Sequence, residues 1–437
     1  MKILVVGGGA REHAMAVVCS QSELLTLEDR MLRHIYWAPG NAGFLNTAGV
    51  QCVDIQADDI EGLIAFAKDK CIDLILVGPE LPLTLGIVDR AEKEGLLILG
   101  PRKDAAVIEG SKVFMKNLFD SYGFNHLTAP YKLFGNPDRA KEYVEWYMNE
   151  YGLPLVVKAD DLASGKGVVV AHAVEEGKAA VDLLMIREGH KLILIEEKLE
   201  GWECSFTVLT DGHRILPFPV SRDYKQDLEG NNTGGMGAYS PVADLCREHY
   251  EEILGCIRKV IGALRDMGRP FKGFLYAGMM ITDSGAKFLE FNCRLGDPEA
   301  QVILPLLESD FLKLCYFVAQ GNQNEMGAVE WSQDAVVNIV VAAQGYPGKP
   351  KKGQKIYGIN EAYEEGAVVL HGATKHAKND IFMLQTDGGR VLSVLARANT
   401  VEEAREIAYR GVRHISFGNK NPKKGKQWYR SDIALNA

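Results

Sequence analysis

Apolar and polar positions alternate in two rhythms over the first hundred residues. Short apolar runs at Ile3 to Val6, His34 to Ala38, Ile72 to Val77 and Leu96 to Leu99 have the length and bounding residues of buried strands. Between them the apolar spacing becomes helical: a helix is expected from about Arg11, over Asp59 to Lys70, and over Leu83 to Glu94. In the second of these Ile60, Leu63, Ile64 and Ala67 share one face. Strand and helix in turn predict a parallel sheet covered by helices on both faces. Ligands of such sheets bind beyond the carboxyl ends of the strands. Three loops fall there: Gly7-Gly8-Gly9-Ala10-Arg11, Pro39-Gly40-Asn41-Ala42-Gly43 and Gly78-Pro79-Glu80.

The pattern then changes. Ser111 reads as the N-cap of a helix from Lys112 to about Ser121. Leu155 to Lys158 and Val168 to Ala171 read as two strands joined by a loop rich in glycine and lysine, Ala159 to Gly167. Either a flap closing over phosphates or an ordinary hairpin satisfies that loop. Two further strands flank the acidic linker Glu196-Glu197-Lys198-Leu199-Glu200-Gly201. A glycine-rich stretch runs from Thr233 to Pro241, followed by a helix over His249 to Asp266. Tyr276 to Thr282 and Lys287 to Asn292 form a hairpin across Asp283-Ser284-Gly285. In its second strand, strict alternation puts Phe288, Glu290 and Asn292 on one face and Leu289 and Phe291 on the other. Two oxygen donors on one face suit Mg²⁺, which takes a few hard protein ligands and completes its shell with phosphate and water. A solvated edge strand explains an isolated Glu-x-Asn more simply. Arg294 and a Gly296-Asp297-Pro298 turn follow. From about Ala335, short strands and one helix, Val401 to Tyr409, suggest a small closing unit. The expected division is 1–103, 104–332 (with a flap subdomain over about 124–193) and 333–437.

Composition narrows the class. A chain of 437 residues predicts roughly two to four domains. Its 47% apolar and 24% charged residues are those of a soluble globular protein. A net charge of −9 argues against nucleic acid or an anionic membrane as partner. The eight cysteines have neither metal-site nor disulfide-framework spacing. With no leader and no long apolar span, the expectation is a soluble cytoplasmic protein acting as a monomer on small molecules.

One order of motifs is specific. Lys158, the loop after it, Glu196-Glu197, Glu203, a glycine-rich loop and Glu290-x-Asn292 resemble the ATP-grasp ligases. More narrowly, Arg294-Leu295-Gly296-Asp297-Pro298-Glu299 is similar to the signature of the phosphoribosylamine–glycine ligase family. So are Ala10-Arg11-Glu12-His13, Pro39 to Gly43, Gly78-Pro79-Glu80, Glu109-Gly110-Ser111-Lys112, Asn232 to Pro241 and Gly273 to Gly278. The resemblance covers Lys2 to Asp432. It implies an α/β and α+β multidomain chain: an N-terminal parallel-sheet domain, a central ATP-grasp domain and a small C-terminal α+β domain. It also implies joining of glycine to 5-phosphoribosylamine with ATP, through glycyl phosphate, in purine synthesis. Mg²⁺ or Mn²⁺ would sit on Glu290 and Asn292. ATP would be held by Lys112, Lys158, the flap residues Gly165, Lys166 and Gly167, the linker residues Glu196, Glu197 and Leu199, and Glu203. Arg294 and Lys158 would be the catalytic cations. Gly9, Arg11, Asn41 and Glu80 would hold phosphoribosylamine, with Asp223, Gly235, Arg294 and Asp297 also at the substrates.

The chain departs from the family pattern at Asp161, where glycine is usual in the flap, and at Asn231 in place of a proline. The segment between Asp223 and Asn232 is shorter, with Gln226 where a basic residue is common, and Ser22 to His34 is longer. Other readings stay open at this point. One is another ATP-grasp carboxylate–amine ligase of purine metabolism. A second is a nucleotide-binding protein that kept this fold without turnover. A third, a dinucleotide-dependent oxidoreductase, is opposed by Glu12, which stands where the Gly7-x-Gly9 fingerprint needs its third glycine.

Overall fold

The computed structural model describes residues 1–160, 167–322, 328–435 and 437. The apolar runs near the start form one five-stranded parallel sheet. Its spatial order is Val50–Cys52, Ile35–Pro39, Ile3–Gly7, Leu74–Val77 and Ile98–Leu99. Ile3 pairs with Ile35 on one side and Leu74 on the other. The chain therefore reverses direction across the sheet at Ile3–Gly7, and the loops after the three middle strands open into one crevice. Helix Ala10–Ser20 starts in that crevice. The expected helix over Leu83 to Glu94 is instead two, Glu80–Leu85 and Ile87–Lys93. Gly86 separates them at φ +99°, a left-handed conformation that ends a helix and that glycine adopts without strain.

Two antiparallel sheets build the central region. The first runs Tyr131–Phe134, Ile193–Glu197, Leu155–Ala159, Val168–Ala171. Helices Pro137–Tyr151 and Val174–Val181 cover it, burying Val144, Tyr147, Val157, Val181 and Ile195 together. The second runs Ile215–Pro217, Trp202–Thr210, Gly273–Thr282, Gly285–Asn292. It rests on helix Arg247–Asp266, which buries Ile253, Ile257, Val260, Ile261 and Leu264. Helix Lys112–Ser121 adds Met115, Leu118 and Phe119. Its expected cap holds: the Ser111 hydroxyl accepts from the Phe114 amide at 3.0 Å.

The C-terminal sheet has the fully buried strand Ala335–Ala343 at its centre, apolar but for Asn338, beside Arg390–Ala398 and Val368–His371. Helix Val401–His414 packs on it, five residues longer than the apolar spacing predicts, capped by Thr400. The other side of Ala335–Ala343 is taken by Gly237–Ser240, and beyond it Arg222–Asp223. Two strands from the central region thus complete the C-terminal sheet. No helix among the described residues is long and apolar enough to cross a membrane.

Candidate active site

The strand Gly285–Asn292 departs from strict alternation. Met279 pairs with Phe288 and Gly278 with Glu290, so Leu289 is an extra residue, a β-bulge. The bulge shifts the phase. Phe288 joins Phe291 on the helix-covered face, their rings 5.1 Å apart and both against Phe119. The expectation that Phe288 shares a face with Glu290 is corrected, while Glu290 and Asn292 stay together on the opposite face. Across from Glu290 stands Gly278, where a Cβ would make a tight contact of 3.1 Å with Glu290 Cγ.

Four cations surround Glu290. Lys225 Nζ lies 3.8 Å from its Oε1. Burial pushes the Glu290 carboxyl upward, but Lys225, Lys112, Lys158 and Arg294 outweigh it and hold it below the ordinary carboxylate range. The side chain is still 40% exposed at the floor of the recess, so a ligand can reach it. The Asn292 Oδ1 accepts from Arg294 Nη2 at 2.9 Å. Arg294 also meets Glu80 at 3.2 Å and Glu109 at 3.1 Å. The Glu109 carboxylate in turn accepts from the Cys293 amide at 2.6 Å. The guanidinium plane is therefore set by three side chains from three segments. Among the described residues no group of three or more His, Cys, Asp or Glu could hold a metal on its own. Two hard oxygens beside lysines fit a divalent cation that takes its remaining ligands from phosphate and water.

Lys112 and Lys158 approach from the other sheet. Lys112 Nζ donates to the Ala159 carbonyl at 3.2 Å. Asp160 fixes the start of that helix by accepting from the Ser111 hydroxyl and the Val113 amide, both at 2.9 Å. Lys158 pairs with Glu196 at 2.7 Å. The second oxygen of Glu196 pairs at 3.0 Å with Lys116, which also donates to Thr128 Oγ1 at 2.5 Å and the Ala129 carbonyl at 3.3 Å. Burial raises Glu196, yet the two lysines together hold it below the usual carboxylate range. Burial holds Lys116 below the usual lysine range against the pull of Glu196. The Glu196 side chain is thus committed to lysines, and the amides of Glu197 and Lys198 donate to the carbonyls of Pro130 at 3.1 Å and Pro154 at 3.4 Å. Glu197 and Leu199 are half-buried there. In the flap, Gly167 accepts from the Ala159 amide at 2.8 Å. Gly165, Lys166 and Asp161 lie outside the described residues.

A second polar cluster lies behind the metal-type pair. Ser205 Oγ is 2.9 Å from the Tyr276 hydroxyl, 3.1 Å from Glu299 and 3.3 Å from Asp223. Lys225 sits between Glu290 and Glu203, 3.4 Å from the latter. Burial first, then the carboxylates of Glu299, Glu203 and Glu290, push Asp223 up to about 7 against the pull of Lys225.

The N-terminal loops meet this machinery from one side. The Glu12 carboxylate accepts from the Gly9 amide and from Arg11 Nε, both at 2.6 Å. It fills the space a Cβ of Gly78 would take, with Oε1 only 2.0 Å from that point. The mouth of the glycine-rich turn is thus closed by an anion, which removes the dinucleotide reading. Arg11 Nη1 donates to the Leu295 carbonyl at 3.1 Å. Asn41 is fully engaged: its amide donates to the carbonyls of Gly8 at 3.0 Å and His371 at 2.7 Å, and its oxygen accepts from the Gly43 amide at 2.8 Å. It ties loops together in this structure. Asp297 pairs with Arg390 of the C-terminal sheet at 3.2 Å and accepts from Gln301 at 2.7 Å. Arg390 also donates to the carbonyls of Asp297 and Gly234. Gly235 has φ +102° and no room for a side chain, since a Cβ would fall 2.4 Å from Pro298 Cδ.

Sequence reasoning passed over several of these groups. Glu109 and Glu299 lie inside motifs already singled out but carried no role. Lys116 follows Lys112 by four residues, so both lie on one helix face. A lysine between the buried Met115 and Leu118 was the available signal. Arg390 opens an apolar strand after Gly388-Gly389. Lys225, Ser205 and Tyr276 have no local signal, since only strand pairing brings them together.

Lysines and a paired Glu and Asn between two antiparallel sheets, fed by a Rossmann-like crevice, define an ATP-grasp enzyme. The chain belongs to the phosphoribosylglycinamide synthetase family: the family's N domain matches residues 1–109, its ATP-grasp (A) domain 110–300 and its C domain 336–436. Phosphoribosylamine–glycine ligase of Caldanaerobacter subterraneus subsp. tengcongensis is 42% identical, over 99% of each chain. That of Neisseria meningitidis serogroup B is 41% identical, again over 99% of each. The crystal structure of the Thermotoga maritima phosphoribosylamine–glycine ligase superposes with a TM-score of 0.80 at 29% identity, covering 99% of this chain and 100% of that one. A biotin carboxylase from Campylobacter jejuni shares the fold, at a TM-score of 0.66 and 14% identity over 95% of this chain and 91% of that one.

Proposed function

We infer that this chain joins glycine to 5-phosphoribosylamine with ATP, giving glycinamide ribonucleotide, ADP and phosphate, a step of purine synthesis. The observation that carries the reading is the convergence of Lys112, Lys158, Glu290, Asn292 and Arg294 on one recess, in a chain matched along its length by the family.

Glycine's carboxylate is a poor electrophile. Its oxygen attacks the γ-phosphorus of ATP, ADP departs, and glycyl phosphate forms. The amine of phosphoribosylamine then attacks the acyl carbon, and phosphate leaves with the bonding pair. Two anions must approach in the first step, so cations are the main requirement. Lys112 and Lys158 lie along the ATP phosphates. The backbone from Glu196 to Leu199 takes adenine, and Glu203 takes ribose. Glu290 and Asn292 hold Mg²⁺ or Mn²⁺, which when bound neutralises phosphate charge. Arg294, its plane set by Glu80, Glu109 and Asn292, receives the glycine carboxylate. Asp223, which accepts from Ser205 at 3.3 Å, is taken as a further substrate contact. Gly9, Arg11, Glu80, Gly235 and Asp297 line the approach of phosphoribosylamine, with Asn41 holding the loops that form it. An acyl phosphate must be kept from water, and the resemblance gives that part to the loop after Lys158, of which Gly165 and Lys166 lie outside the described residues. The reacting species are small molecules, and we take a single chain as the acting unit.

The test is ADP release with Mg²⁺, ATP, glycine and freshly generated phosphoribosylamine. Release should require both glycine and the amine, and ADP formation independent of glycine would sink the reading.

A further inference from the structure

Two lysine runs far apart in the chain meet on one face of the C-terminal domain. Residues 344–357 carry Lys349, Lys351, Lys352 and Lys355 and no acidic residue. Residues 415–428 carry Lys420, Lys423, Lys424 and Lys426 and again no acidic residue. All these lysines are exposed. Along the chain each run is a short solvated loop, but strand pairing joins the two. Ile356 pairs with Phe417 and Tyr357 with Ser416. The Gly418 amide donates to the Lys355 carbonyl at 2.7 Å, and the Lys426 amide to that of Phe417 at 3.1 Å. Lys355 also pairs across to Gln385, and Gln385 to Lys375. Residues directly opposite in a ladder share a face. Lys375 therefore extends the lysine surface two strand spacings, roughly 10 Å, beyond Lys355. Among the described residues one carboxylate pairs with this surface: Asp387, 2.9 Å from Lys375 and 3.8 Å from Lys352.

Such a face attracts a polyanion, and its composition selects which kind. Phosphate is matched best by arginine forks and bases by exposed aromatic rings. The two runs contain no arginine, and Tyr346, Tyr357 and Trp428 are half-buried. Because these segments hold cations and no anion, the rest of the chain is more negative than its total of −9. A long nucleic acid would carry its charge onward over surface of its own sign. A flexible polypeptide can present carboxylates one at a time to separate ammonium groups and end where the face ends.

We propose that this lysine face docks an acidic segment, rich in Asp and Glu, of a partner protein.

The test is fluorescence anisotropy on the full-length protein at about 0.15 M salt, where distant charges are screened. The probes are a fluorescein-labelled peptide of alternating glutamate and serine and a labelled single-stranded oligothymidine of equal charge. Wild type should bind the peptide more tightly than the oligonucleotide. Glutamine at Lys349, Lys351, Lys352 and Lys355 together should weaken peptide binding about tenfold or more, and so should glutamine at Lys420, Lys423, Lys424 and Lys426. Glutamine at Lys93, Lys103, Lys259 and Lys313, exposed lysines outside this face, should keep it within about twofold. Thermal melting and glycine-dependent ADP release should be unchanged in all three variants, so failure of the ligase reading shows separately, in the wild type. No peptide binding by wild type, or equal losses in the control variant, overturns the proposal. Tighter, lysine-dependent binding of the oligonucleotide overturns it in favour of nucleic acid. Self-association in sedimentation that the same variants abolish, without peptide binding, overturns it in favour of a second copy of this chain.

Discussion

Lys116 offers the sharpest test of how the nucleotide end is held together. It is 1% exposed, and its ammonium has an ion pair to Glu196 at 3.0 Å and bonds to Thr128 and Ala129. Breaking one partner of a buried pair typically costs about 3–5 kcal/mol. Lys116→Met moves toward the lower figure for two reasons: Glu196 keeps Lys158 at 2.7 Å, and methionine refills the volume of the lysine stem. The Ala129 carbonyl loses a donor, which works the other way. The expected loss is about 3 kcal/mol in urea unfolding followed by circular dichroism. Glu196→Gln should also destabilise, by leaving two buried lysines without their anion. The double variant should cost less than the sum of the singles by about 2 kcal/mol, since both remove one interaction. The folded pKa of Glu196 lies below its ordinary 4.5. Its contribution is therefore present above 4.5 and lost as pH falls through the folded value, so the gap between wild type and Lys116→Met should narrow on acidification. A single-variant cost under about 1 kcal/mol, or a coupling within about 0.5 kcal/mol of zero, would refute this account.

Glu290→Ala should leave the circular dichroism spectrum intact. It should weaken Mn²⁺ binding in the presence of ATP, read by electron paramagnetic resonance, by at least the roughly 100-fold that losing a supporting contact can cost; unchanged Mn²⁺ binding would remove Glu290 from the metal. Arg294→Lys should raise the KM for glycine at least about tenfold, because one ammonium cannot serve Glu80, Glu109 and a carboxylate together. The KM for ATP should stay within about threefold, and an equal rise in both would place Arg294 elsewhere. Asp223, with its folded pKa raised to about 7 from an ordinary 3.8, contributes stability that is complete below 3.8 and lost as pH rises through 7. Between pH 6 and pH 8 the metal-free wild type should lose about 1.4 kcal/mol relative to Asp223→Asn, measured as the difference in urea midpoints. A constant difference would mean Asp223 is ionised throughout.

Local pattern was enough for much of this molecule. The parallel sheet and its three loops follow from short apolar runs, and the Ser111 cap from one hydroxyl before a periodic stretch. Glu290 and Asn292 were legible as a pair because they are two apart on a strand. The face of Phe288 was not, because the bulge at Leu289 depends on how Gly278 opposes Glu290. The single helix expected over Leu83 to Glu94 failed for a local reason, the left-handed Gly86. The commitment of Asn41 to loop carbonyls was beyond reach, since one of its partners, His371, lies in another domain. The same holds for Arg390, whose contacts come from Gly234, Gly235 and Asp297.

The strands Arg222–Asp223 and Gly237–Ser240 pair with each other, and the second finds its further ladder partner in Ala335–Ala343, which the ribosome makes much later. While the chain is being synthesised they are an unpaired edge, the form of backbone most prone to pairing with another molecule. A shortened protein ending before Ala335 would carry that edge permanently, together with a glycine-rich loop lacking Arg390 and Tyr346 to hold it. Grafting the tail of one ligase onto the catalytic half of another would likewise fail at this seam unless the two upstream strands travelled with it. The natural unit of exchange is a sheet, and this sheet is written in two separate places along the chain.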